Sequence, residues 1–133
     1  MKIILASKSG VRKEILKKNN FDCTVIPSGV DEDQVKDSLL AAGADPTLIS
    51  KNLAELKSIK VSNKNPDQLV LGADSVVSLN DEIINKPDSR EEALAILKKL
   101  NGSKHYLISS VCISKNGAMI WNHTDSSELV MKN

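Results

Sequence analysis

Apolar residues in the first half of the chain form two patterns, short continuous runs and runs interrupted at regular intervals. The continuous runs at Lys2–Ala6, Cys23–Pro27 and Gln68–Leu79 predict buried strands. Between them, apolar residues recur every three or four positions, which places them along one face of a helix. This spacing predicts three helices, whose apolar stripes are Val11, Ile15 and Leu16; Val35, Leu39 and Leu40; and Ile49, Leu53 and Leu56.

Residues that start and stop helices and turns support these boundaries. Asp45-Pro46 is a typical helix start, with Asp as the cap and Pro in the first turn. Ser89 and Glu92 have the spacing of a capping box, in which each side chain accepts a hydrogen bond from the other residue's backbone N–H. The remaining predicted elements are a turn at Asn80-Asp81, a return strand at Glu82–Asn85, a helix that ends at Asn101-Gly102, and the strands Tyr106–Ser114 and Met119–Met131, joined by a hairpin turn at Lys115-Asn116-Gly117.

The order of these elements predicts an α/β fold. The late hairpin implies a mixed sheet rather than a purely parallel one. A chain of 133 residues is long enough for one domain with a hydrophobic core, so we expect a single domain over 1–133.

Composition and charge exclude several classes of partner. Hydrophobic residues make up 41% and charged residues 26% of the chain, as in ordinary globular proteins. The net charge is +1 and aromatic residues make up only 2%. We therefore expect neither a nucleic acid polymer nor a membrane as a partner, because no strong positive field and no set of base-stacking rings is present.

The two cysteines indicate a reducing environment. Cys23 and Cys112 lie far apart in the sequence, and both fall in apolar, strand-like runs. Two reduced thiols fit this placement better than a disulfide or a metal pair. With no apolar run that approaches a membrane span, we expect a cytoplasmic protein.

The segment from Leu5 to Arg12 is a candidate phosphate-binding turn. A buried strand runs into a small polar turn that opens a helix, and helix N-termini present unpaired N–H groups to anions. Ser7 and Ser9 add hydroxyl donors, and Arg12 follows about one helical turn later. The alternative is that Ser9 only caps the helix and Arg12 is a solvated surface residue.

Asp74 is the strongest candidate for acid–base chemistry. It lies inside an apolar strand, where a charge is costly unless it is paired or bound to a metal. Strand alternation places it on the face opposite Ala73 and Ser75. Such a carboxylate can bind a divalent ion or take a proton from water, whereas the alternative is an Asp that caps a turn.

Other charged residues are weaker candidates. The cluster that contains Asp31 and Glu32 can bind Mg²⁺ or Mn²⁺, but such clusters more often complement a helix dipole. Lys57 borders the apolar stripe of its helix, and Lys86 precedes a proline. Each lysine can neutralise a phosphate or remain solvated.

Six segments in order along the chain resemble the motifs of the Maf family of nucleoside triphosphate pyrophosphatases, once described through septum-formation inhibition. The resemblances are LASKSGVRKEIL to LASxSPRRxxLL, PSGVDE to PSxxDE, LAELKSIKV to LAxxKAxxV, GADSVV to GADTVV, NKP to KP, and ALAILKKLNGSKHYLISSV to AxxxLxxLxGxxHx(V/L).

The resemblance implies a hydrolase that acts on acid anhydrides and cleaves nucleoside triphosphates, including modified ones, to monophosphate and pyrophosphate in a house-cleaning role. Asp74 and Glu32 would be catalytic, and a Mg²⁺ or Mn²⁺ cofactor would be bound by Asp74, Glu32 and the adjacent Asp31. The residues implied to bind phosphate are Ser7, Ser9, Arg12, Lys57 and Lys86. The implied fold is elongated and two-lobed, with a mixed twisted sheet flanked by helices, a central cleft and a possible homodimer.

Two departures from the family pattern matter. Gly10-Val11 stands where the family has Pro-Arg, so one cation of the usual pair is missing. The family's C-terminal motifs have no counterpart in these 133 residues, so we expect a domain that lacks the C-terminal part. The alternative function is a non-catalytic nucleotide-binding or regulatory module linked to cell division.

Overall fold

The computed structural model describes residues 2–6, 10–20, 22–79, 82–84, 89–100 and 104–130. Their elements, in chain order, are β1 (Lys2–Leu5), α1 (Gly10–Lys18), β2 (Asp22–Val25), α2 (Glu32–Ala41), α3 (Pro46–Ser62), β3 (Val70–Leu79), β4 (Glu82–Ile84), α4 (Arg90–Leu100), β5 (Lys104–Lys115) and β6 (Ala118–Val130). Every predicted helix and strand is present, with ends shifted by a few residues at most. The predicted turns at Asn80-Asp81 and Asn101-Gly102 lie outside the described residues.

The strands form one mixed sheet, as predicted. Five strands follow the order β2-β1-β3-β5-β6, and β4 pairs with β3 as a sixth strand. β1 runs parallel to β2 and β3, whereas β3, β4, β5 and β6 pair antiparallel. None of the helices in the described part of the chain is both long enough and apolar enough to span a membrane.

The predicted cap at Asp45 and the predicted hairpin turn are confirmed, and Ser89 Oγ accepts from the N–H of Glu92 at 3.1 Å, which is one of the two hydrogen bonds of the predicted capping box. Asp45 Oδ1 accepts a hydrogen bond from the N–H of Leu48 (2.8 Å), with Pro46 in the first turn of α3. The hairpin between β5 and β6 turns at Asn116 and Gly117, whose φ angles are 53° and 79°. Positive φ at both central residues is the requirement of a type I′ turn, which Asn-Gly meets at low cost.

Helix α3 packs across β3 and β5 through a stripe of small residues. Four such residues recur at intervals of four and are buried against the sheet: Ser50, Ala54, Ser58 and Ser62. Their hydroxyls hydrogen-bond to the sheet: Ser58 Oγ lies 2.8 Å from Ser114 Oγ, and Ser62 Oγ accepts from the N–H of Gly117 at 2.9 Å. Because these side chains are short, the helix backbone lies unusually close to the strands.

The predicted apolar stripe of α3 is wrong at Leu56. Ile49 and Leu53 are fully buried as expected, but Leu56 is 43% exposed. The buried face of α3 advances by four residues from Leu53 to Lys57 and then to Val61, so a lysine takes the place expected for a leucine. A buried lysine is tolerable only when oxygen atoms surround its ammonium group.

Gly72 in β3 makes this close approach possible. A Cβ at this position would lie 2.7 Å from Ser58 N and 2.9 Å from Ser58 Cβ, and it would also collide with the carbonyl oxygen of Ala54. Two of these three atoms belong to the α3 backbone, which cannot move aside as a flexible side chain can. Any side chain at this position therefore pushes α3 away from β3.

We expect Gly72→Ala to lower the free energy of unfolding by about 2 to 3 kcal/mol, because overpacking at a rigid contact forces the helix to shift. Gly43→Ala is the matched control. Gly43 has a φ of 83° and no atom near its missing Cβ, so this change should cost only the left-handed strain of about 1 kcal/mol. Urea unfolding of both variants measures the difference. Equal losses would show that crowding under α3 is not the constraint.

Candidate active site

The ammonium group of Lys57 lies at the centre of a buried charged cluster. Lys57 Nζ donates to the carbonyl oxygen of Ala73 at 3.2 Å and to Asp74 Oδ1 at 3.3 Å. It also forms an ion pair with Glu32 Oε1. The Lys57 side chain is only 8% exposed. Three elements therefore meet at one nitrogen atom: α3 supplies the lysine, β3 supplies Asp74, and α2 supplies Glu32.

Asp74 faces α3, on the same side of β3 as Gly72. Ala73, on the opposite face, is also buried, whereas Ser75 is exposed. The predicted alternation along the strand is therefore confirmed. A second contact fixes the strand here, because Ser50 Oγ donates to the carbonyl oxygen of Asp74 at 3.1 Å.

Only one of the two carboxylate oxygens of Asp74 has a hydrogen-bond partner among the described residues. Oδ1 accepts from Lys57, but Oδ2 is buried and has no hydrogen-bond partner within the described part of the chain. Burial raises the pKa of Asp74 above its ordinary value of 3.8, and the negative charge of Glu32 raises it further. The charge and hydrogen bond of Lys57 and the more distant charge of Lys36 lower this pKa, but they do not cancel the effect of burial.

The two acidic candidates on α2 have different surroundings. Asp31 is the N-cap of the helix, where its Oδ1 accepts from the N–H of Gln34 at 3.1 Å. Glu32 is the first residue of the helix, and its side chain is 42% exposed. The structure thus brings Glu32 to Lys57 and Asp74, whereas Asp31 caps the helix beside them.

The predicted phosphate-binding residues Ser7, Ser9 and Lys86 lie outside the described residues. The backbone of Arg12 belongs to α1, but its side chain is not described. The backbone just before Ser7 is described, and there the N–H of Ala6 donates to the carbonyl oxygen of Leu71 at 2.9 Å. β1 therefore ends beside β3, three residues before Asp74.

The donor set agrees with a small divalent ion. Mg²⁺ is usually bound in proteins by one or two carboxylates together with water and substrate phosphates. Glu32 and Asp74 supply two carboxylates, and Asp74 Oδ2 is a buried oxygen with no partner among the described residues. No group of three or more His, Cys, Asp or Glu residues arranged to hold a metal is found in the described ranges.

Two features of the site are not evident from motif reading. The sequence predicts Lys57 as a residue at the margin of a stripe, but the structure makes it the shared partner of both carboxylates. Ser50, which holds the backbone of Asp74, is absent from the predicted set. The sequence contains one signal of this close packing. Small residues repeat every four positions on α3, and a glycine lies two residues before Asp74.

Comparison with known proteins identifies the family of this chain. A family model described as Maf-like protein matches residues 2–133. The chain belongs to the Maf-like family. This confirms the family that the sequence motifs resemble.

Curated relatives of this Maf-like chain carry enzyme names. It is 63% identical over 131 residues to a nucleoside triphosphate pyrophosphatase of Pelagibacter ubique (strain HTCC1062), covering 98% of this chain and 67% of that protein. It is 37% identical over 132 residues to a 7-methyl-GTP pyrophosphatase of Brucella abortus biovar 1 (strain 9-941), covering 99% of this chain and 66% of that protein. The chain thus spans about two thirds of the length of these relatives.

Solved structures share the fold of the Maf-like chain. A HAM1 protein from Coxiella burnetii superposes with a TM-score of 0.60 at 14% identity, over 96% of this chain and 71% of that one. A dITP/XTP pyrophosphatase from Mycobacterium abscessus superposes with a TM-score of 0.56 at 10% identity, over 96% and 72%. At these identities the likeness concerns the fold alone, and it confirms the expected α/β architecture with a mixed sheet.

We expect the stability of the unchanged protein to fall relative to that of Asp74→Asn as the pH rises above 3.8. The pKa of Asp74 is raised in the folded state, so above pH 3.8 the unfolded chain loses this proton first, which favours unfolding. The contribution of Asp74 to stability therefore falls as the pH rises from 3.8 to its folded pKa, and asparagine avoids this loss.

Urea unfolding between about pH 4 and pH 8 tests this expectation, and the stability of Asp74→Asn relative to the unchanged protein should rise with pH. Asp37→Asn, on the exposed side of α2, is the control and should show no such trend. The account of Asp74 is contradicted if the relative stability of its asparagine variant stays constant or falls as the pH rises.

Proposed function

We propose that this protein is a nucleoside triphosphate pyrophosphatase, which hydrolyses the bond between the α and β phosphates to release a monophosphate and pyrophosphate. The observation that carries the proposal is the buried Oδ2 of Asp74, which has no hydrogen-bond partner among the described residues, beside the Lys57 ammonium group. The names of the relatives support the same reaction class. The 7-methyl-GTP pyrophosphatase among them supports activity toward modified nucleotides. The proposal includes a house-cleaning role in the cytoplasm.

Asp74 acts as the general base. A base works best when its pKa lies near the working pH, and burial moves the pKa of Asp74 upward in that direction. Lys57 holds Oδ1, so Oδ2 is the oxygen left to accept a proton from water. The water oxygen then bonds to the α phosphorus, the bond from that phosphorus to the bridging oxygen breaks, and pyrophosphate leaves with the electron pair.

Glu32 and Asp74, with Asp31 adjacent, are the residues that would hold Mg²⁺ or Mn²⁺, and the ion would offset the charge that develops on the leaving pyrophosphate. Glu32 suits this task because its side chain is half-exposed and so reaches both the buried cluster and the solvent side, where a substrate enters.

We assign phosphate binding to Ser7, Ser9 and Arg12, which lie in the sequence between the end of β1 and the first turn of α1. Helix N-termini present N–H groups that bind anions, so the start of α1 suits the same task. Lys86 is assigned the same task. Lys57 contributes to phosphate binding only when its ammonium group moves away from the carboxylates of Asp74 and Glu32. The proposal includes a possible homodimer, as in the family pattern.

The purified protein, supplied with Mg²⁺ or Mn²⁺, should release pyrophosphate from at least one member of a panel of nucleoside triphosphates that includes 7-methyl-GTP. Loss of the base in Asp74→Asn should lower kcat by about 10² to 10⁴-fold. Asp37→Asn removes a carboxylate from the exposed side of α2 and should leave kcat unchanged.

Two results would count against the proposal. If Asp74→Asn keeps full activity, Asp74 is not the base. If calorimetry detects triphosphate binding but no triphosphate releases pyrophosphate, the protein is a nucleotide-binding module, the alternative linked to cell division.

A further inference from the structure

The ammonium group of Lys57 is surrounded by three oxygen atoms. An ammonium group has three N–H donors and no acceptor. Lys57 Nζ donates hydrogen bonds to the carbonyl oxygen of Ala73 and to Asp74 Oδ1, and it forms an ion pair with Glu32 Oε1. The side chain is also almost fully buried. Lys57 therefore contacts a phosphate oxygen only after it gives up one of these partners.

The position of this ammonium group is the one that a small cation would take. It lies between the carboxylates of Glu32 and Asp74 and neutralises one of their two negative charges. Two carboxylates that share a buried site repel each other unless a positive charge lies between them. The lysine thus satisfies, from within the chain, the same electrostatic requirement that a bound metal ion would satisfy.

We propose that Lys57 is the internal counter-cation of the Glu32–Asp74 pair, and that it competes with a divalent ion for these carboxylates. Lys57 is then a positioning residue: it keeps the two carboxylates together before metal and substrate arrive. With a divalent ion bound by these carboxylates, Lys57 would have to give up at least one of its contacts with them. This inference deepens the proposed function and rests on it for the presence of a divalent ion at the site.

The proposal makes a prediction about metal affinity that is separate from turnover. Lys57→Met keeps the apolar length of the side chain but removes its charge, so the formal charge of the cluster changes from −1 to −2. Mn²⁺ should then bind about tenfold more tightly or better, because its competitor is gone and the attraction is larger. Glu32→Gln should weaken Mn²⁺ binding, and the double variant, whose cluster again carries −1, should return close to the affinity of the unchanged protein.

Isothermal titration of the nucleotide-free protein with Mn²⁺ at about pH 8 measures these affinities. Lys51→Met is the matched control. Lys51 lies on the same helix, six residues or about 9 Å along its axis from Lys57, and has the same charge. In about 0.15 M salt its removal should change the Mn²⁺ affinity by less than about twofold, because the Debye length of about 8 Å is then shorter than this separation.

Thermal unfolding gives a second measurement if the loss of Lys57 weakens the fold. Without metal, Lys57→Met should unfold at a lower temperature than the unchanged protein, because two carboxylates then lack a counter-charge. Saturating Mn²⁺ should raise its Tm by more than it raises the Tm of the unchanged protein, since an ion that binds only the folded state stabilises it.

The inference is overturned if Lys57→Met binds Mn²⁺ with unchanged or lower affinity, or if the variant stays unfolded in saturating Mn²⁺. A phosphate-binding Lys57 would give a different result, in which Mn²⁺ affinity is unchanged and inorganic pyrophosphate binds less tightly. Both results differ from a failure of the proposed function, which concerns pyrophosphate release and is measured separately.

Discussion

The burial of one carboxylate between a helix and a strand is the constraint on which the site depends. Asp74 lies where α3 crosses β3, and removal of its charge from water is costly unless a positive group accompanies it. Lys57 meets this need from the helix, and Glu32 joins it from the start of α2. Three separate elements converge on one ammonium group. The charges at the site therefore balance only when these elements are packed together.

Close packing of α3 on the sheet provides the reach that this contact needs. Gly72 leaves no side chain between helix and strand, and the small residues Ser50 and Ser58 replace bulky ones along the helix. Their hydroxyls hydrogen-bond to Asp74 O and Ser114 Oγ, so these buried polar atoms are satisfied. With larger residues at these positions, the helix would lie farther away and the lysine would not reach both carboxylates. Burial of the Asp74 carboxylate lowers the stability of the fold, and the same burial makes this carboxylate more basic. The cost in stability is therefore linked to the proposed chemistry.

Local signals in the sequence determine most of the fold. Asp45-Pro46 starts α3 and Asn116-Gly117 turns the final hairpin because these residues favour one backbone conformation wherever they occur. The charged cluster is different, since the contact between Lys57 and Asp74 joins residues 17 positions apart and depends on how a helix packs on a strand. The spacing of apolar residues predicted that Leu56 is buried on α3. This pattern counts every lysine as polar, because it cannot show whether oxygen atoms surround the ammonium group. The ordered family motifs identified the residue types of the site, and Ser7, Ser9, Arg12 and Lys86 remain predictions.

The Lys57 ammonium group itself is the most direct reporter of the account. In the metal-free protein at neutral pH, its protons should exchange slowly with water, because the ammonium group is buried, donates to two oxygen atoms and is paired with the Glu32 carboxylate. A ¹H–¹⁵N correlation spectrum of the lysine side chains should therefore contain one protected ammonium signal that is missing from the spectrum of Lys57→Met. If no such signal appears, and the ammonium group of Lys57 exchanges as fast as those of the exposed lysines, it is solvated and does not hold the carboxylates together.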